Sequence, residues 1–427
     1  MKLNLLTIML LGSGLFLTAC GGSDNKGDNS STSSNVDVNN IQNPVVNTPE
    51  PYVLEDYDED DFIVPNAEES VVMTYKMQGI KGQETQATAL VFTPKTEPPA
   101  GGWPIVVWAH GTVGVGDECA PSRNPLIVRW GLLPDQHTHK MIDSFVKAGY
   151  VVVAPDYEGL GEPSGTEIHP FLHLKSAAYS ITDAVVATKS WLGNKVSNKW
   201  AVIGASQGGH AALGAAQYAA RANMDYKGAV ALAPANNLEM IESLSDLAVA
   251  NNKDVQAQIN SYMILDTLTA YMAAGMKSAY PTEPVYSIVF KSPTDKIAEK
   301  AEGKNQCLIL MALNFRGPMA TYNRGKGSLV GYPRKNEGYT QHPIVRQFLD
   351  KDLPPLQTVI KTPIIIYQGD KDLIVLPRAT NAMVAQARAL TTKIDYRTHP
   401  DWDHLTVFSA NVENGQLLED VKTLLAK

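Results

Sequence analysis

The segment Trp200-Ala201-Val202-Ile203-Gly204-Ala205-Ser206-Gln207-Gly208-Gly209 constrains the fold of this chain more than any other. An apolar run of strand type passes through one serine and straight into an Ala-rich run of helical type. A backbone that turns from strand to helix in so few residues holds its central residue in a strained conformation and points that side chain outward. Side chains two positions before and after the turn would collide, which accounts for Gly204 and Gly208. The start of the helix also aims free N–H groups at whatever meets the Ser206 hydroxyl. Ser206 is therefore the candidate nucleophile, and the Gln207 N–H a candidate donor to developing negative charge.

The rest of the chain from about residue 71 repeats the same alternation. Strands are expected at Ala87–Phe92, Pro104–Ala109, Tyr150–Ala154, Trp200–Gly204, Gly228–Ala233, Pro363–Gln368 and Lys393–Arg397. Helices are expected at Lys140–Ala148, Ser176–Trp191, Gly208–Arg221, Arg378–Ala389 and Glu413–Leu425. Runs such as IVVWA, VVVAP and IIIYQ are apolar throughout rather than alternately, as strands covered on both faces must be. The class implied is α/β, with a mostly parallel, doubly wound sheet. One long stretch, about 236–345, breaks the rhythm and reads as an inserted helical cap. There Leu265, Leu268, Met272 and Met276 recur at helical spacing, with Tyr262, Tyr271 and Tyr280 nearby. They fit either an apolar pocket or the packed interior of the cap.

A serine nucleophile needs a base and an acid to orient it. His404 follows the final strand in Pro400-Asp401-Trp402-Asp403-His404 and is placed to serve as the base, with His399 at the strand's end competing. Asp370 and Asp372 compete for the acid in the turn after Ile364-Ile365-Ile366-Tyr367-Gln368-Gly369. A second oxyanion donor belongs in the loop after an early strand. His110-Gly111-Thr112 follows such a strand, so the Thr112 N–H is the candidate over Val113, with His110 fixing the loop. His169 and His173 have helical metal-pair spacing, but Pro170 interrupts them and no third ligand suggests itself, so no metal is expected.

His110-Gly111-Thr112, Pro155-Asp156-Tyr157-Glu158-Gly159-Leu160-Gly161, the Ser206 turn, the Asp372 loop and His404 together resemble the α/β-hydrolase superfamily, and within it the secretory lipases. The resemblance selects Asp372 over Asp370 and implies an α/β-hydrolase domain at 51–427 with a helical cap. It also implies lipase or esterase chemistry through an acyl-enzyme on Ser206, His404 and Asp372, with a small-molecule or lipid ester as substrate and no cofactor. A prolyl-type peptidase or a polysaccharide acyl esterase would use the same three residues. A non-catalytic surface binding lipoprotein would be expected to lack one of them.

The N-terminus reads as an address. Lys2 precedes an apolar run from Leu3 to Leu17, as in a secretory signal over 1–19. Leu17-Thr18-Ala19-Cys20 resembles the lipobox of bacterial lipoproteins, which implies lipidation of Cys20 and, with Gly21-Gly22 following, outer-membrane anchoring. Residues 20–50 are dominated by small and polar residues and read as a disordered tether. The acidic cluster Glu55–Asp61 lacks the glycine and terminal glutamate of a calcium loop and reads as a solvated face. With Cys20 lipidated, Cys119 and Cys307 remain as a pair expected to form a disulfide. A formal charge of −8 without a basic patch argues against nucleic acid as a partner.

Overall fold

The computed structural model describes residues 38–52, 64–123 and 135–427. Among them, one sheet holds β1 Glu50–Pro51, β2 Ala67–Gln78, β3 Glu84–Pro94, β4 Trp103–Ala109, β5 Val151–Pro155, β6 Val196–Ala205, β7 Asp225–Leu232, β8 Ile364–Gly369 and β9 Ile394–His399. Their spatial order is β1-β2-β3-β5-β4-β6-β7-β8-β9. Strands β5, β4, β6, β7, β8 and β9 run parallel, whereas β2 and β3 form an antiparallel margin.

The continuously apolar strands feed two cores at once. In β4, Ile105, Val107 and Ala109 join the core on one face, while Val106 and Trp108 join the core on the other. The same alternation holds in β8, with Ile364 and Ile366 opposite Ile365 and Tyr367. Helices α1 Asp135–Lys147, α2 Leu174–Leu192, α3 Gln207–Tyr218, α7 Pro377–Ala389, α8 Thr406–Glu413 and α9 Gln416–Leu425 cover the two faces. The first core is closed by α2, α3 and α7, and the second by α1, α8 and α9. Between β7 and β8 the chain is helical and builds a core of its own around α4 Leu238–Ala250, α5 Val255–Ala279 and α6 Leu308–Lys326.

Three features depart from expectation. Strand β2 was not expected, because only alternate residues are apolar and buried: Val71, Met73, Tyr75 and Met77 face the core while Ser70, Thr74 and Lys76 do not. That is the signature of a strand covered on one face. The helix expected over Glu413–Leu425 starts at Gln416, and a separate, unexpected helix, α8, precedes it across Gly415 at φ 74°, where Gln416 N–H donates to the Asn414 side chain at 2.9 Å. Residues 38–50, assigned above to the tether, instead lie against the body. Asn39 donates to Asp183 Oδ1 at 2.7 Å, Val45 bridges Tyr75, and Glu50–Pro51 extends the sheet beside β2. A polar stretch can dock this way because backbone pairing at a sheet edge asks little of its side chains. The signal segment 1–19, Cys20, tether residues 20–37 and the acidic cluster Glu55–Asp61 lie outside the described residues.

Candidate active site

Ser206 lies between β6 and α3 with φ 58° and ψ −117°, a strained conformation for a residue with a side chain. The neighbouring glycines make it feasible. A Cβ on Gly204 would sit 2.1 Å from the Gly208 carbonyl oxygen, and one on Gly208 would sit 1.9 Å from that of Ala109. The turn is anchored by the Ser206 N–H, which donates to Leu232 O at 2.9 Å, and by Ala235 N–H donating to Ser206 O at 3.1 Å.

Two further strand ends converge on this point. His404 Nε2 is 3.0 Å from Ser206 Oγ, and its Nδ1 is 2.8 Å from Asp372 Oδ2. All three are buried, at 6%, 4% and 1% exposure for Ser206, His404 and Asp372. Asp372 is held by four contacts besides solvent exclusion. Its Oδ1 accepts from Ile374 and Val375 N–H at 2.9 Å each, and its Oδ2 accepts from Gln368 Nε2 at 3.2 Å as well as from His404. The Asp372 and His404 loops are tied to each other: Asp370 N–H donates to His399 O at 3.0 Å and Lys371 N–H to Trp402 O at 2.9 Å. Gly369 permits this, because a Cβ there would meet the Trp402 carbonyl oxygen at 2.2 Å. Of the competitors, Asp370 is exposed, His399 accepts from Asp401 N–H, and Asp403 caps α8 by accepting from Leu405 and Thr406 N–H.

Thr112 is buried and lines the same cavity as Ser206. Among the described residues neither its N–H nor that of Gln207 donates to a protein group. The loop carrying Thr112 is fixed from below by the Pro155–Gly161 segment. Tyr157 OH donates to His110 O at 3.0 Å, and the His110 ring contacts Gly111 O at 2.7 Å and Asp156 O at 3.2 Å. Burial raises Asp156 to about 6, opposed by hydrogen bonds from Ser122 and Thr88. Glu158 is raised to about 7, again by burial, while accepting from Ile80 N–H and Ser176 OH.

His169 braces the residue after Ser206. Its Nδ1 donates to Glu158 O at 2.7 Å and its Nε2 accepts from Gln207 Nε2 at 2.9 Å. Burial drives it down to about 3, so the ring is neutral and this tautomer persists. His173 stands 4.0 Å from the Asp352 carboxylate, and His210 donates to Leu353 O at 2.8 Å.

A cavity of about 60 Å³ opens at Ser206. Ala235, Leu238, Ile241, Leu265, Leu268 and Met272 line it. Its lining also includes the polar side chains of Thr269 and Glu242. Met276 and Tyr271, by contrast, are wholly buried in the cap core. The cap is joined to the Thr112 loop by the Cys119–Cys307 disulfide, with Cα atoms 5.4 Å apart. Leu308 N–H beside it donates to Val113 O at 2.9 Å.

A family model described as serine aminopeptidase, S33, matches residues 136–283, which include Ser206 but end before Asp372 and His404. Solved structures align over far more of the chain. Candida antarctica lipase A in its closed state superposes with a TM-score of 0.63 at 17% identity, covering 88% of this chain and 83% of that one. The rice cell wall degrading esterase LipA from Xanthomonas oryzae gives 0.62 at 21% identity over 89% of this chain and 100% of its own. A hydrolase from Legionella pneumophila gives 0.60 at 18% over 82% and 89%. The chain has the α/β-hydrolase fold. No curated protein sequence matches it.

Within this hydrolase fold, the structure brings Ser206, His404 and Asp372 together as expected, while the side chains around them were not anticipated. Tyr157 and His169 act on residues 47 and 38 positions away, which no local spacing announces, whereas Gln368 lies only four residues before the Asp372 it contacts. Glu242 is one of several acids on a helix and acquires its place only through Lys335 and Thr269.

Proposed function

We propose that the protein is a serine hydrolase of carboxylic esters, working through an acyl-enzyme on Ser206. The observation that carries this reading is the hydrogen-bonded row Ser206–His404–Asp372 opening on an apolar cavity. His404 Nε2 accepts the Ser206 proton as the hydroxyl attacks the ester carbonyl carbon, and later returns it to the departing alcohol. Asp372 accepts from Nδ1–H, holding the tautomer and stabilising the imidazolium. The N–H groups of Thr112 and Gln207 receive the oxyanion, at about 3–4 kcal/mol per donor. Water then attacks the acyl carbon by the same proton route and regenerates Ser206.

An ester suits the site better than a peptide with a free amino terminus. An aminopeptidase needs an anion free to hold an ammonium group, and the acid lining the cavity, Glu242, is already paired with Lys335. A fluorophosphonate probe should label the wild type and not Ser206→Ala, and p-nitrophenyl butyrate should be hydrolysed in preference to amino-acid amides. Labelling that persists in Ser206→Ala, or amide cleavage without ester cleavage, would overturn the reading.

We further infer export and anchoring to the outer membrane through a lipidated Cys20. The signal-like 1–19 segment, the four residues ending at Cys20 and a Cys119–Cys307 disulfide suited to an oxidising compartment support it. Palmitate incorporation that is abolished in Cys20→Ser is the expected result. Incorporation that survives the substitution removes the anchor from Cys20.

A further inference from the structure

We propose that Glu242 is the partition that limits how long an acyl chain the Ser206 cavity accepts, an inference that rests on the ester-hydrolase reading above. Glu242 lines two cavities at once. One is the apolar cavity of about 60 Å³ at Ser206. The other is a polar cleft of about 480 Å³ in the cap, edged by Asp246, Tyr262, Arg334 and Lys335. The same side chain therefore stands between a small apolar space and a larger polar one.

The partition is held from both sides. Thr269 OH donates to one carboxylate oxygen of Glu242, and Lys335 Nζ pairs with the other. The Lys335 side chain is only 6% exposed, so its charge depends on these partners rather than on water. A hydrocarbon chain entering from the Ser206 end shares the cavity with Leu238, Ile241, Leu265 and Leu268, and at Glu242 it borders this ion pair. To go further it must separate buried charges or press methylenes against them, and both are costly. The chain concerned is the acyl part of the ester. The alcohol leaves beside His404, which protonates it, and His404 does not line the apolar cavity, whereas Ser206 and Thr112 do.

Removing the partition leaves Lys335 and Thr269 with partners, while the buried Tyr339 hydroxyl loses the carboxylate beside it. Lys335 Nζ remains 2.9 Å from Asp246 Oδ2, and the Thr269 hydroxyl remains 2.8 Å from the Leu265 carbonyl oxygen. Glu242→Ala should therefore join the two cavities while the cap keeps its core.

The test is kcat/KM for p-nitrophenyl esters from acetate to laurate on the purified protein. In the wild type the values should fall steeply beyond short chains. In Glu242→Ala the laurate-to-butyrate ratio should rise by about tenfold or more, the scale on which pocket room discriminates methylenes. Glu239→Ala, on the same helix but paired with Arg346 and Gln341 outside the cavity, should keep the wild-type ratio. An unchanged ratio in Glu242→Ala overturns the partition while leaving the hydrolase reading intact. Should the alanine variant not fold, inactivation of the wild type by alkyl fluorophosphonates of rising chain length decides the matter. A steep loss of rate with length supports the partition, and a flat profile overturns it. A wild type that neither hydrolyses any ester nor reacts with any fluorophosphonate removes the hydrolase reading itself, and the partition with it.

Discussion

Strands β4 to β8 and the helical cap bury their interiors in different ways. The central strands carry aliphatic side chains on both faces, so their positions follow from packing alone. The cap has an apolar core too, yet charge is threaded through its margin. Arg334 Nε donates to Asp266 Oδ2 at 2.9 Å and its guanidinium lies 3.3 Å from the centre of the Tyr262 ring, while Lys335 is shared by Glu242 and Asp246. Ion pairs of this kind take their geometry from charged partners rather than from packing. The proposed reacting groups Ser206, Asp372 and His404 follow β6, β8 and β9, whereas the cap lines the cavity. On the proposed reading, chemistry and selection fall to regions that tolerate change unequally.

If that division is right, substitutions in the sheet-borne row should have the largest effects. Ser206→Ala should lower turnover about a million-fold while leaving the fold intact, checked by steady-state kinetics beside a thermal melt. Asp372→Asn should lower kcat about 10⁴-fold, because an amide at this position favours the wrong His404 tautomer. A drop of less than tenfold in either would place the chemistry elsewhere.

The link between the regions comes next. The Cys119–Cys307 bridge spans 188 residues, so Cys119→Ala with Cys307→Ala should cost about 2–5 kcal/mol in denaturant unfolding. A cost below that range would mean that the cap is held on the body by packing alone. The smallest effect expected concerns the interior beneath the Thr112 loop. Glu158 begins to ionise near 4.5 in an unfolded chain but only near 7 when buried. The folded state therefore binds the extra proton in between, and stability falls as pH rises across that window, by about 3 kcal/mol from this group. Glu158→Gln should lack that contribution, so the stability difference between variant and wild type should change from pH 4.5 to 7. An identical pH dependence in both would show that Glu158 is ionised in the folded protein throughout.

The sequence was most legible where one local constraint acts alone. The strand–glycine–serine–glycine–helix run can fold in few ways: a Cβ on Gly204 would lie 2.1 Å from the Gly208 carbonyl oxygen within the turn itself, while one on Gly208 would lie 1.9 Å from that of Ala109 on the neighbouring β4. Continuous apolar runs announced β4 to β8, since burial on both faces leaves no room for polar residues. Strand β2 was hidden because only alternate residues face the core, and the docked residues 38–50 because an extended segment paired through its backbone needs no particular composition.

What the sequence by itself determined is the α/β architecture, the turn at Ser206 and the short roster of histidines and aspartates from which partners could be drawn. Only the tertiary structure decided that His404 and Asp372 meet Ser206, that His169 supports Gln207, and that Glu242 ends an apolar cavity beside a polar cleft. The reason is physical. Periodicity and turn chemistry act over a few residues and are written locally, whereas a hydrogen bond between residues 198 apart exists only after the whole sheet has brought its strand ends together.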